Sequence, residues 1–183
     1  DEATADTALV TLARCDVAAA APLAATALAG GARWNGLYTR MRQEAGAAGL
    51  GLLLPHAPDA PAHRWIMHEM AISLDPRAGA ALHAEIGRME DPSIQDRLDA
   101  GLALAGAGDA RVLEVLAPLL ESAEDAEALP AIELLGRASR AEVVEAPLLA
   151  MATGRATPEP RRRAAIDALG RARACGEETQ RQL

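Results

Sequence analysis

Three stretches of this chain can be laid over one another: Arg97-Leu-Asp-Ala-Gly-Leu-Ala-Leu-Ala-Gly106, Glu127-Ala-Leu-Pro-Ala-Ile-Glu-Leu-Leu-Gly136 and Arg161-Arg-Arg-Ala-Ala-Ile-Asp-Ala-Leu-Gly170. Their closing glycines are 30 and 34 residues apart. Each stretch places small or apolar residues at helical spacing, as in Ile94, Leu98, Leu102 and Ala105, and ends on the residue that best tolerates a left-handed C-terminal cap. A second apolar helix is expected after each. The tetrapeptide Ala-Pro-Leu-Leu recurs at Ala117 to Leu120 and Ala146 to Leu149, and Ala21-Pro-Leu-Ala24 echoes it. Units of two helices at this period bury their apolar faces only by stacking on neighbours. The reading is all-α: a right-handed α-solenoid of about five helical pairs, forming one domain over residues 1–183.

Composition supports that class. About a quarter of the positions are Ala, there are two Trp, one Tyr and no Phe, and the chain lacks the aromatic and β-branched residues that fill a sandwich or barrel core. All 18 basic residues are Arg, which with the Ala and Gly excess points to a GC-rich bacterial genome. The apolar run Ala45 to Leu54 is about half the length a membrane span needs, so no membrane span is expected. The chain opens at Asp1 with neither a charged n-region nor an apolar h-region, and a cytoplasmic location is the expectation. Cys15 and Cys175 lie near opposite ends and read as free, packed thiols.

An Asp-Pro entry, an Arg, an Ala-rich helix closing on Gly, an Asp and a Val/Leu-rich second helix together resemble the HEAT-like repeats of bacterial proteins. Asp91-Pro92, Arg97, Gly106, Asp109 and Val112 to Leu120 carry the resemblance, which spans regular repeats over 75–173 and, more loosely, Leu12 to Ala29. Within it Asp75 and Asp91 are expected N-caps with Pro at the first helical position, and Ser122 to Asp125 has capping-box spacing. Residues 30–62 depart from the repeat. Gly30-Gly31 stops one helix, and Pro55, Pro58 and Pro61 forbid a helix between His56 and Ala62, which leaves an exposed Pro-rich loop over Pro55 to Pro61 as the expectation. Trp34, Leu37, Tyr38 and Met41 form one helical stripe in between, and Leu50 to Leu54 a second.

The segment His63 to Ala71 is richest in chemistry. On a helix, His63, Ile66, Met67, Met70, Ala71 and Leu74 share one face, and Trp65, His68, Glu69 and Ile72 the opposite one. His68-Glu69 resembles the His-Glu units that hold the di-iron site of deoxyhypusine hydroxylase, a HEAT-repeat enzyme, but the following unit has Leu98 and Asp99 at the matching positions. His63 and His68 point about 140° apart around a helix, unlike the paired ligands of i, i+4 spacing. No metal and no cofactor are therefore expected, and the segment reads as a helix packed between units with Trp65 and Ile72 in the core. A ligand site made by Trp34, Tyr38, Trp65, His68 and Glu69 is the alternative. HEAT-like bilin lyases extend it by analogy to a tetrapyrrole.

Some HEAT-like proteins are DNA glycosylases with a basic groove, and this chain has the opposite charge pattern. Eight acidic residues from Glu114 to Glu145 meet only Arg137 and Arg140, so nucleic acid is not an expected partner. The cluster Arg161 to Arg163, with Arg171 and Arg173, reads as a solvated face interleaved with Glu159 and Asp167. No catalytic constellation stands out, and no catalytic residue is assigned. The expected function is a protein-protein interaction scaffold whose second helices line the concave face, offering Glu114, Glu121, Glu142 and Glu145 to a partner with a basic segment. Leu102, Ile132 and Ile166 are expected at equivalent buried positions of successive first helices.

Overall fold

The computed structural model describes the backbone of residues 2–28, 34–73 and 75–182, and the side chains within them except those of residues 2, 3, 35 and 175–182. The expectations for Gly30-Gly31 and Leu74 fall outside the described residues, and that for the Cys175 thiol outside the described side chains. Among the described residues every element is helical: α1 (Glu2–Cys15), α2 (Val17–Leu28), α3 (Trp34–Arg40), a π-helical turn (Met41–Ala45), α4 (Gly46–Leu53), a 3-10 turn (Leu54–His56), α5 (Ala60–Ile72), α6 (Pro76–Ile86), α7 (Ile94–Gly106), α8 (Val112–Leu120), α9 (Asp125–Leu135), α10 (Ala141–Thr153) and α11 (Glu159–Gln182). The fold is all-α. No described helix is long and apolar enough to cross a membrane.

Two rows of helices organise the chain from α5 onward. Helices α5, α7, α9 and α11 pack in succession, whereas α6, α8 and α10 each pack against the row, α6 on α7, α8 on α9 and α10 on α11. Toward the N-terminus α1 and α2 pack on each other and on α4, which in turn meets α5 and α6. The core runs through both parts: Leu9, Leu37, Met41, Leu53, Ile66, Met67, Met70, Leu82, Leu104, Leu116 and Ile132 are all fully buried. The stripe Leu37, Tyr38, Met41 is buried, and so is the run Leu52 to Leu54.

The repeat phase differs from the expected one by a fraction of a turn. Ile132 is fully buried, Leu102 is only half-buried, and Ile166 is 57 % exposed. The positions that are buried alike are Gly101, Ala131 and Ala165, and three residues on Leu104, Leu134 and Ala168. Helix α11 carries Ala where α7 and α9 carry Leu, so it presses closer and its Ile166 turns outward.

The helix ends also correct the sequence reading. Asp75 does cap α6, its Oδ1 accepting from the Arg77 backbone N–H at 2.9 Å with Pro76 in the first turn. Asp91 caps nothing. Ser93 takes that role in a capping box with Asp96, each side chain accepting from the other's backbone N–H, and this satisfies two orphan donors where Asp91-Pro92 would satisfy one. Ser122 and Asp125 form no such box: Ser122 Oγ accepts from Glu124 N–H two residues on, and Asp125 turns to Arg161. Helix α5 begins at Ala60, with Asp59 accepting from Ala62 N–H and Pro61 in the first turn, so the expected loop shrinks to residues 57–59 between the 3-10 turn and α5.

None of the three closing glycines is a left-handed cap. Gly106 is the last residue of α7 and Gly170 lies inside α11, which continues to Gln182. Gly136 has φ −66, and a Cβ there would stand 2.8 Å from Ala168 Cα, so the glycine permits the close approach of α9 and α11. A Cβ on Gly170 would meet nothing within 4 Å. The two repeat-equivalent glycines are thus expected to respond oppositely to Ala: Gly136→Ala should destabilise by about 1–3 kcal/mol through overpacking, and Gly170→Ala should stabilise by about 1 kcal/mol through helix propensity. Chemical denaturation of both variants checks the signs.

One local motif recurs at the start of α6 and α8. Asp75 and Asp109, each two residues before an Arg, accept from its backbone N–H and pair with its guanidinium, Arg77 Nη2 at 2.7 Å and Arg111 Nη2 at 2.5 Å. The Arg111 hydrogen bonds hold the Asp109 carboxyl down to about 2, from 3.8, and Asp75 is lowered for the same reason. A depressed carboxyl contributes its stability above the unfolded value and loses it as pH falls through the folded one. Acidification from pH 4 to pH 2 is therefore expected to cost up to about 2 kcal/mol at this pair, less what solvent screening removes. Asp109→Asn should flatten that part of the acid limb in urea titrations at pH 5, 3 and 2.

Candidate functional site

Helices α5, α7 and α9 enclose a groove of about 280 Å³. Its floor is apolar, made by Leu98, Leu102, Pro130 and Leu134, and its polar side chains are His68, Gln95, Asp99, Glu133 and Arg137. The spacing explains the lining: Gln95, Leu98, Asp99 and Leu102 fall on one face of α7, and Pro130, Glu133, Leu134 and Arg137 on one face of α9 and its end.

Asp99 is the most constrained of these groups, at 5 % exposure. Its Oδ1 accepts from Gln95 Nε2 at 2.9 Å and lies 3.3 Å from His68 Nδ1, while Oδ2 has no hydrogen-bond partner among the described residues. No described arginine lies within ion-pairing distance of it. Glu133 and Arg137, four residues apart, are exposed and form no ion pair with each other or with any other described residue.

Beside the groove, α5 contributes an aromatic group. Tyr38 is packed between Trp34, at a ring-centroid distance of 6.4 Å, and Trp65, at 5.0 Å. The Tyr38 hydroxyl is buried without a hydrogen-bond partner. Burial, and next the Glu69 carboxylate, push its pKa above the usual phenol value, against the opposing pull of Arg42. Glu69 in turn accepts from Arg42 Nε at 2.8 Å. The structure thus gathers Trp34, Tyr38, Trp65 and Glu69, with His68 one turn further along α5 toward the groove.

Trp65 and Ile72 are not core residues. They are 51 % and 50 % exposed, because α5 turns its Ile66, Met67, Met70 and Ala71 side to the core. Cys15 is free and exposed instead of packed.

Three of the four histidines meet a carboxylate on another helix. His63 Nε2 lies 2.8 Å from Glu85 Oε1 across α5 and α6, His68 meets Asp99 across α5 and α7, and His83 Nε2 lies 3.3 Å from Glu114 Oε2 across α6 and α8. Glu85 is buried, and its other oxygen is 2.7 Å from Arg88 Nη2, an ion pair without hydrogen-bond alignment. Sequence reasoning missed these pairs, since partners 22 and 31 residues apart carry no local signal. Among the described residues no group of three or more His, Cys, Asp or Glu side chains is placed to hold a metal ion.

The four acids expected to meet a partner sit on or beside α8 and α10. Glu114 faces His83, Glu142 accepts from Arg140 Nε at 2.9 Å, and Glu145 pairs with Arg173. Glu142 and Glu145 are thus paired with arginines of their own chain. Arg161 is not solvated either: its side chain is 12 % exposed and donates to Ser122 O at 2.7 Å, Ala123 O at 2.9 Å and Asp125 Oδ1 at 2.6 Å. Arg162 and Arg163 both pair with Glu159.

Comparison of the chain with protein-family models, curated proteins and solved structures gives no match.

Proposed function

We propose that this protein is a binding module of HEAT-like helical pairs, a right-handed α-solenoid without chemistry of its own, that holds a segment of a partner protein in the groove of α5, α7 and α9. The observation that carries the reading is the groove itself, apolar along its floor and edged by polar groups of which one, Asp99, keeps an oxygen unpartnered. In a curved stack the inner helices lie closer together than the outer ones. The succession α5, α7, α9, α11 packs closely at every step, which favours the first row as the concave side. The recognition surface then moves off Glu114, Glu121, Glu142 and Glu145, which belong to the other row.

Peptide selection from a displayed library tests this. Selected peptides should lose affinity at least about tenfold on Leu98→Arg and Pro130→Arg, which fill the groove, and bind Leu149→Arg on α10 as they bind wild type. Peptides indifferent to the groove variants but lost on Glu114→Arg or Glu145→Arg would return the site to the second row, and a library without groove-dependent binders would overturn the reading.

A small ligand against Trp34, Tyr38, Trp65, His68 and Glu69 is the second reading, favoured by the buried, unpartnered Tyr38 hydroxyl. Tyr38→Phe separates the two. If the hydroxyl serves no ligand, its removal should raise stability by about 1 kcal/mol and leave the absorption spectrum and elemental content of the purified protein unchanged.

A further inference from the structure

The chemistry of the groove specifies what the partner segment must carry. We propose that the α5–α7–α9 groove is a receptor for one arginine side chain, whose guanidinium bridges Asp99 Oδ2 on α7 and the Glu133 carboxylate on α9 while its methylenes lie along Leu98, Leu102 and Leu134. The inference rests on the groove reading above and names its ligand.

A carboxylate at 5 % exposure is costly to keep ionised unless a cation or a full set of donors surrounds it. Among the described residues Asp99 has no arginine beside it, and Gln95 and His68 are its partners. Gln95 and His68 both meet Oδ1, so the second oxygen is left to the groove that Asp99 lines. That atom is absent from the fully enclosed unsatisfied groups, unlike the Tyr38 hydroxyl and Glu85 Oε2, so it is open to an incoming donor. Glu133 supplies a second carboxylate from the facing helix, with no ion pair of its own.

Arginine fits this arrangement better than lysine. Its planar fork offers five donors and spans two acceptors on separate helices, whereas an ammonium is a compact point charge that keeps its water. The guanidinium is also weakly hydrated, which suits a partly buried acceptor, and a long aliphatic stem covers the leucine floor. His68 and Arg137 are the cationic or titratable groups facing the site from α5 and from the end of α9. Arg137 lies one turn beyond Glu133 and is the chain's own competitor for that carboxylate, so Arg137→Ala should bind the probe as tightly as wild type or more so.

The probe is N-acetyl-arginine-N-methylamide, titrated into the full chain and followed by NMR at the Gln95 side-chain amide and the methyls of Leu98, Leu102 and Leu134. Those resonances should shift with an affinity of about millimolar, and the citrulline compound, equal in shape and uncharged, should bind at least about tenfold more weakly. Asp99→Asn keeps the shape and the Gln95 hydrogen bond, and Glu133→Gln alters an exposed side chain only. Each should weaken the arginine probe about tenfold. Equal binding of citrulline, equal binding of the lysine compound, unchanged affinity in both variants, or no shift at the groove would each overturn the proposal. If groove-dependent peptides are selected from the library but none needs its arginine, the guanidinium assignment falls and the groove reading stands. If no peptide depends on the groove, both fall.

Discussion

Ile132→Ala is expected to lower the unfolding free energy by about 2–5 kcal/mol, and Leu104→Ala by a similar amount, because both side chains are fully buried. Ile166→Ala, at the position that matches Ile132 in the repeat, should change stability by less than about 0.5 kcal/mol, since the side chain is 57 % exposed. Leu102→Ala falls between them, as a half-buried leucine on the groove floor. The three matched truncations therefore separate a stack in which every unit is alike from one in which α11 sits closer than its predecessors. Urea denaturation of the series decides it, and an Ile166 variant as damaged as the Ile132 one would refute the packing described for α11.

The second large effect is expected at Arg161. Its guanidinium closes the turn between α8 and α9 from the N-terminus of α11, with donors shared among two backbone carbonyls and the Asp125 carboxylate. Arg161→Ala should cost about 2–3 kcal/mol, as it removes a side chain itself only 12 % exposed and leaves those acceptors without their charged donor. Arg161→Lys should recover little of that, because a single ammonium cannot reach three acceptors arranged for a fork. Arg163→Ala, which removes one exposed partner of Glu159, is the contrasting surface change and should be nearly silent. Full rescue by lysine would show that charge alone, and not the geometry of the clamp, matters at this position.

Periodicity exposed the helices, and composition excluded sheets, because both are local or additive properties of the chain. Ile94 to Gly106 and Val112 to Leu120 could be read directly from apolar spacing. What escaped was the azimuth of each helix. Trp65 looks like core on a helical wheel because it is large and apolar, yet which side of α5 is covered depends on where α6 and α7 arrive, and those are distant in sequence. Gly136 and Gly170 look equivalent as letters and differ because one faces Ala168 at close range and the other faces open space. Of the residues lining the groove, the sequence reading had given a ligand role only to His68. Asp99 appeared merely as the residue that failed to continue the His-Glu pattern, although it turns out to be the acceptor that His68 meets. Asp75-Pro-Arg77 and Asp109-Ala-Arg111 did carry a readable signal, an Asp two residues before an Arg at a spacing of 34.

From α5 onward the packing partners of each helix lie one or two elements away along the chain. Tension applied to the two ends would therefore find no long-range tie to break at once, and the molecule should yield by shedding helices from its termini in sequence, over a series of modest force steps. A bound segment lying across α5, α7 and α9 would act as a splint over three consecutive helices. Its arrival would be felt as added stiffness in the middle of the chain, with the outer helices as compliant as before.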